Sequence, residues 1–300
     1  MIAVDWGLSA LRAFRLAPDG TIIAQRSAPT GVLGIVDGAF EAALMAALGD
    51  WLDDRPIVAA GMVASRQGWV EAPYVACPAD VAALAAGLKR HTSARAGEVW
   101  FVPGVQWSDD RAVDVMRGEE AQIMGALAEH GLDDAVLCLP GTHSKWAAVT
   151  GGAITRFRTY MTGELFGVLR QHSILGRLMR DDVGDDAAFD QGLARAQEPG
   201  GLLHHLFSVR TAGLFGRIAE PSLADYLSGL VIGDEIAGAV ASLPLGGALL
   251  LVGAPGLCAR YARALGRHGL ASITVPETAA AHGIHRIARA AGLLDGTAAP

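Results

Sequence analysis

Two stretches, one in each half of the chain, spell out the same supersecondary unit, and this repetition constrains the fold more than any other feature. Residues 2–22 run as a short apolar strand (IAVD), Gly7, small polar residues, a second strand, the turn Pro18-Asp19-Gly20 and a third strand. Residues 135–158 run as AVLCL, Gly141, small polar residues, a strand, the turn Gly151-Gly152 and a further strand. Asp-Gly and Gly-Gly between apolar runs are hairpin signals. The copies lie too far apart for a solenoid. The duplication predicts two related domains facing one another, and a cleft between paired domains is a usual ligand site.

The remaining pattern alternates strands with helices, which marks an α/β fold. Strands are predicted over 57–62, 98–104, 247–254 and 272–277. Helices are predicted over 38–52, 80–91, 114–130, most of 162–243 and 279–294. Residues 61–78 and 105–113 read as irregular loops. A first domain over 1–110 and a second over 111–300 follow, the last helix being free to pack back on the first. With 300 residues, 51% of them hydrophobic, both domains can carry a core.

A formal net charge of −7 and the lack of a basic block argue against nucleic acid as a partner. An anionic ligand must then meet locally concentrated Arg and Lys. Cys77, Cys138 and Cys258 are too sparse for a disulfide framework or a metal knot and suit a reducing compartment. The start, MIAVDWG, opens as a strand with no basic segment ahead of an apolar one, so no secretory signal is expected. The most apolar region, 227–257, is broken by Asp234, Glu235 and Pro244, too early for a membrane span. A soluble cytoplasmic protein is expected. Its oligomeric state is open, a homodimer included.

Five motifs carry chemistry. In Asp5-Trp6-Gly7-Leu8-Ser9, Gly7 lets backbone amides approach an anion, Ser9 adds a hydroxyl, and Asp5 can hold Mg²⁺ through water. The same residues suit an ordinary hairpin with a capping Asp. In 139-LPGTHSKW-146, Gly141 and Thr142 are phosphate donors, while His143 and Lys145 either reach a ligand or stay solvated. No G-x-S-x-G elbow supports Ser144 as a nucleophile, and no Walker A pattern is present. In 249-LLLVGAPGLCARY-261, the small residues Gly253, Ala254 and Gly256 let a ring or ribose lie near a helix start. The loop 61–78 offers Ser65, Arg66, Gln67, Trp69, Glu71 and Tyr74, with Arg66 suited to a carboxylate and the others to sugar hydroxyls. In 114-DVMRGEEAQIMG-125, Asp114, Glu119 or Glu120 can accept a proton, or can simply complement the helix dipole. Glu164 is either structural or near substrate. His204-His205 reads as a solvated pair, and Arg156 and Arg158 as electrostatic support.

Together, DWG (5–7), GMVASRQGWVEAPY (61–74), DVMRGEEAQIMGAL (114–127), LPGTHSKW (139–146), MTGELF (161–166), YLSGLVIG (226–233) and LVGAPGL (251–257) resemble the 2-dehydro-3-deoxygalactonokinase family. This is a sugar-acid kinase family of the sugar kinase, heat-shock protein and actin superfamily. The resemblance implies two actin-like (ribonuclease H-like) domains with an interdomain cleft, binding ATP-Mg²⁺ and 2-dehydro-3-deoxy-D-galactonate. It implies transfer to the 6-hydroxyl in galactonate breakdown, with a product that feeds an aldolase. The Gly7 and Gly141 hairpins become phosphate motifs, the Gly253 strand end the adenosine motif, and 61–74 the sugar loop. Gly118-Glu119 resembles the superfamily's Gly-Asp that supplies the base, with Glu in place of Asp, so Asp114 stays a competitor. Leu8 departs from the usual Thr or Ser and leaves the first phosphate contact to Ser9 or to amides. A kinase of the gluconate-derived epimer is the alternative within the class. A non-catalytic sugar sensor on the same fold is the alternative outside it.

Overall fold

The computed structural model describes residues 1–52, 56–180, 184–243 and 247–294. The chain opens with β1 (Ile2–Trp6), β2 (Leu11–Leu16) and β3 (Ile22–Ala28), then α1 (Phe40–Leu48) and β4 (Ile57–Ala60). Next come β5 (Tyr74–Ala76), α2 (Val81–Ala86), β6 (Lys89–Ser93), β7 (Gly97–Phe101), β8 (Gly104–Ser108), β9 (Val113–Met116) and α3 (Glu119–His130). The second copy of the hairpin unit is β10 (Ala135–Leu139), β11 (Ser144–Thr150) and β12 (Ala153–Tyr160). Helices α4 (Thr162–His172), α5 (Asp186–Ala196), α6 (Gly201–Leu214) and α7 (Leu223–Ser242) follow. The chain ends in β13 (Leu249–Val252), α8 (Pro255–Gly266), β14 (Ile273–Val275) and α9 (Ala279–Ala290).

The two copies head two sheets, ordered β3-β2-β1-β4-β7-β6 and β12-β11-β10-β13-β14. In each, the first strand of the unit has a parallel neighbour from later in the chain: β4 beside β1, with Asp5 opposite Ala60, and β13 beside β10. Such strands are buried on both faces, and β1, β4, β10 and β13 are apolar throughout apart from Asp5.

The chain divides into two compact units. The first holds Met1–Ala135, Ala147–Phe157 and the segment from Val275 on; the second holds Val136–Trp146 and Arg158–Thr274. This differs from a split at 110, because α3 packs along α9, and both helices belong to the first unit. A methyl at Gly125 would sit 1.8 Å from the Ala279 carbonyl oxygen, and one at Gly283 1.8 Å from that of Ala121. Only hydrogen fits at these points. Gly125→Ala is therefore expected to cost about 3 kcal/mol or more, read as a lower urea midpoint, since the clash is with backbone rather than a movable side chain. An unchanged midpoint would show that the helices can separate freely. In the second unit the same device joins α5 and α7, where methyls at Gly192 and Gly229 would meet the carbonyls of Tyr226 and Phe189 at 2.2 and 2.1 Å.

Three expectations change. Residues 80–91 are not one helix: α2 stops before Gly87, and Lys89–Ser93 is a strand paired antiparallel with β7. Residues 105–113 are not all loop: β8 and β9 form a hairpin in a sheet ordered β5-β8-β9, and only 109–112 connect them. The helix expected from 114 starts at Glu119, which leaves Asp114 on β9 opposite Trp107. The helices expected over most of 162–243 are α4 to α7; residues 181–183 lie outside the described residues, as does Pro244. Among the described residues no helix is long and apolar enough to cross a membrane.

Candidate active site

In the first unit, three of the motifs meet through backbone. Gly61 ends β4 at φ 99°, and a methyl there would lie 2.7 Å from the Trp6 carbonyl oxygen. Gly118 sits at φ 108°, and its methyl would lie 3.0 Å from the Gly61 Cα. These left-handed conformations favour glycine. They bring the DWG turn, the start of the 61–74 loop and the start of α3 to one point. Within the turn, the Gly7 amide is not open to a ligand: it donates to the Ala10 carbonyl at 2.9 Å. The Leu8 and Ser9 amides have no acceptor among the described residues. The open donors of this turn are thus its next two amides, at Leu8 and Ser9.

Asp5 is buried, and its Oδ2 accepts from Arg12 Nη2 at 2.7 Å; Arg12 also pairs with Glu277. Burial pushes the Asp5 carboxyl up and Arg12 opposes this. Among the described residues no group of three or more His, Cys, Asp or Glu side chains could hold a metal. One carboxylate fits an ion carried mainly by phosphate oxygens and water.

At the α3 start the two glutamates differ sharply. Glu120 is fully buried, and both its oxygens accept from the Gly118 amide, at 2.7 and 2.9 Å. Burial, with Glu119 beside it, pushes its carboxyl up to about 8. Glu119 is partly exposed, and its Oε2 accepts from the Arg117 amide at 3.0 Å. Asp114 caps its own neighbour, accepting from the Val115 amide at 2.8 Å.

The 61–78 loop is more ordered than expected. Val63 and Ala64 carbonyls accept from Trp69 and Ala72 amides, at 2.8 and 3.0 Å. Trp69, expected on the substrate, packs instead among Phe40, His91 and Phe101 with centroids 5.2–6.5 Å away. Arg66, Gln67 and Glu71 are exposed, and Ser65 is buried. Tyr74 lies over the Arg117 guanidinium at 4.3 Å.

In the second unit the Gly141, Thr142 and His143 amides have no acceptor among the described residues. Successive open amides of this kind make an anion-binding concavity. The His143 ring pairs with Glu164, which places Glu164 on the hairpin. Lys145 is buried rather than solvated, and its Nζ donates to Thr159 Oγ1 at 2.9 Å. Ser144 is buried against the Tyr261 hydroxyl at 3.0 Å, which removes it as a nucleophile. Behind the hairpin, buried Glu235 accepts from Trp146 Nε1 at 2.7 Å and from the Tyr261 hydroxyl at 2.6 Å. Burial pushes its carboxyl up. The network ties β11 to α8.

A cavity of about 290 Å³ opens beside Gly141. Its walls include Thr162, Phe166, Arg170, Asp225, Arg260 and Tyr261. Of the expected adenosine residues, Gly253, Ala254 and Gly256 do not line it; α8 presents Leu257, Arg260 and Tyr261 from its next turns. Asp225 pairs with Arg260 and accepts from the Asp185 amide at 2.7 Å. Sequence reasoning missed Asp225 and Arg260, although wall positions 225, 228 and 232 recur at helical spacing along α7. It also misread His205, which is buried, not solvated.

The family model 2-keto-3-deoxy-galactonokinase matches residues 5–287. The chain belongs to this family. A curated 2-dehydro-3-deoxygalactonokinase of Escherichia coli K12 is 35% identical over 291 residues, covering 96% of this chain and 97% of the relative. A crystal structure from Sinorhizobium meliloti, provisionally assigned as a 2-dehydro-3-deoxygalactonokinase, matches with TM-score 0.87 at 35% identity, covering 96% of this chain and 98% of that one. The fold reaches further. The activator of 2-hydroxyisocaproyl-CoA dehydratase from Clostridium difficile, with bound ADPNP, matches at TM-score 0.55 and 12% identity over 97% of this chain and 95% of that one. The galactonokinase-family chain is thus a kinase on a two-domain actin-like fold. The motifs gathered above all fall within the matched span.

Proposed function

We propose that this kinase transfers the γ-phosphoryl group of ATP to the 6-hydroxyl of 2-dehydro-3-deoxy-D-galactonate in the cytoplasm, as part of galactonate breakdown. The observation that supports the reading is the convergence of Trp6, Gly61 and Gly118, which brings the residue before Glu119 against the start of the 61–74 loop. The second unit takes the nucleotide. Its cavity receives adenosine, and the amides of Gly141, Thr142 and His143 receive phosphate oxygens; the first unit has an open amide pair of its own at Leu8 and Ser9. Such fixed dipoles stabilise charge spread over a transferring phosphoryl group without reorganising. The acid lies on the 61–74 loop near Ser65, Arg66, Gln67 and Tyr74. Glu119 accepts the proton from the attacking hydroxyl. Asp5 would hold Mg²⁺ through water; when bound, the ion would offset phosphate charge.

The test is ADP release from purified protein with ATP-Mg²⁺ and a panel of 2-keto-3-deoxy sugar acids. The galactonate-derived acid is expected to give the highest kcat/KM. Release with the gluconate-derived epimer alone would move the assignment to that epimer. No acid-dependent ADP at all would overturn the reading.

A further inference from the structure

Arg117 is a buried cation with unfinished hydrogen bonding. It is 8% exposed, on the residue just before Gly118. Its Nη2 donates to the Ala72 carbonyl at 2.9 Å, while Nε and Nη1 are buried and reach no acceptor among the described residues. The face of the guanidinium is covered by the Tyr74 ring. One other buried donor in the same framework is unsatisfied: Ser65 Oγ, on a residue that is also 8% exposed. The two belong together. Ala72 accepts from Arg117 through its carbonyl and donates through its amide to the carbonyl of Ala64, the residue next to Ser65.

Leaving a guanidinium buried and incompletely bonded is costly, and native structures keep such groups where a ligand or ion completes them. Neutral sugar hydroxyls would not offset the charge; a carboxylate would. Arg66, the arginine that sequence reasoning aims at the carboxylate, is exposed, so an ion pair there is screened by solvent and holds a ligand weakly.

We infer that Arg117, assisted by the Ser65 hydroxyl, is the residue that recognises the carboxylate of the acid substrate, entering where the Tyr74 ring now covers the guanidinium. This rests on the function proposed above and assigns the specificity of that site for acids over neutral sugars. It also places the anchor just before the Gly118-Glu119 pair, so holding the acid end fixes the reach of the far hydroxyl. Arg117 binds and orients; it does not take part in proton transfer.

The experiment compares the 2-keto-3-deoxy acid with its C1 carboxamide, in wild type, Arg117→Lys, Arg117→Gln, Ser65→Ala and Arg66→Gln, with ATP saturating. Wild type is expected to prefer the acid strongly. Arg117→Gln is expected to raise KM for the acid on the order of 100-fold, with the preference for acid over amide collapsing and KM for ATP nearly unchanged. Arg117→Lys keeps the charge but not the planar donors, and is expected to lose roughly 10-fold. It serves as the test if the glutamine variant fails to fold. Ser65→Ala is expected to weaken the preference by a smaller factor. If the Arg117 variants melt earlier yet keep the wild-type preference, Arg117 merely props the loop and the inference is overturned. It is also overturned if Arg66→Gln is the variant that abolishes the preference. Failure of wild type to use any keto-deoxy acid would instead overturn the proposed function, so the two failures are distinguishable.

Discussion

Glu119→Gln is expected to lower turnover by roughly 10²–10⁴-fold while leaving ATP affinity within a few-fold of wild type. The amide is nearly isosteric and cannot accept the proton of an attacking hydroxyl. The choice of Glu119 over its neighbours follows from geometry. Glu120 has no exposed surface and folds both oxygens onto the Gly118 amide, so no substrate oxygen can reach it. Asp114 stands on β9, outside the helix whose start meets Gly61. Steady-state ADP release with saturating acid, beside ATP titration by calorimetry, makes the measurement. Near-normal turnover in Glu119→Gln together with loss in Asp114→Asn would reassign the base.

The second large effect concerns pH and stability, and it belongs to Glu120. Its folded carboxyl is pushed up to about 8 by burial and by Glu119. An unfolded glutamate titrates near its ordinary value, so the unfolded chain releases this proton first as pH rises. The folded state is then favoured at low pH, and that advantage is lost as pH climbs from the ordinary carboxylate range through about 8. The loss from this one group is on the order of 3–5 kcal/mol. Glu120→Gln stays neutral and keeps an acceptor for the Gly118 amide. The variant is expected to match wild type at pH 5 and to melt well above it at pH 9. Coincident melting curves at both pH values would show that Glu120 titrates normally.

Much of this molecule could be read from its chain. The two hairpin units announce themselves through glycine turns and apolar runs, and the helix predicted from residue 80 does start there, with Asp80 accepting from the Ala83 amide at 2.8 Å. Other parts could not. Lys89–Ser93 follows a run of helix formers, and its partner β7 decides its state, since strand preference is set by pairing more than by residue type. The β8–β9 hairpin is short, and the strand that makes it a sheet, β5, comes from inside a loop. The site shows the same limit. Motif spacing located the amide turns, but which amides are open depends on the Ala10 carbonyl meeting Gly7. Arg117 sits inside a quoted motif, and its burial under Tyr74 is a tertiary fact with no local signal.

The α3–α9 glycine contact also bears on how the protein is made. The first unit needs α9 to finish its packing against α3 and β1, and α9 comes after the residues of the second unit. A ribosome delivers the residues of the second unit before it delivers α9. The second unit can therefore complete itself during synthesis, whereas the helix that carries Glu119 must wait with one face bare until α9 has followed the second unit. A chain truncated before Ala279 would keep every motif and still lack the surface against which α3 packs.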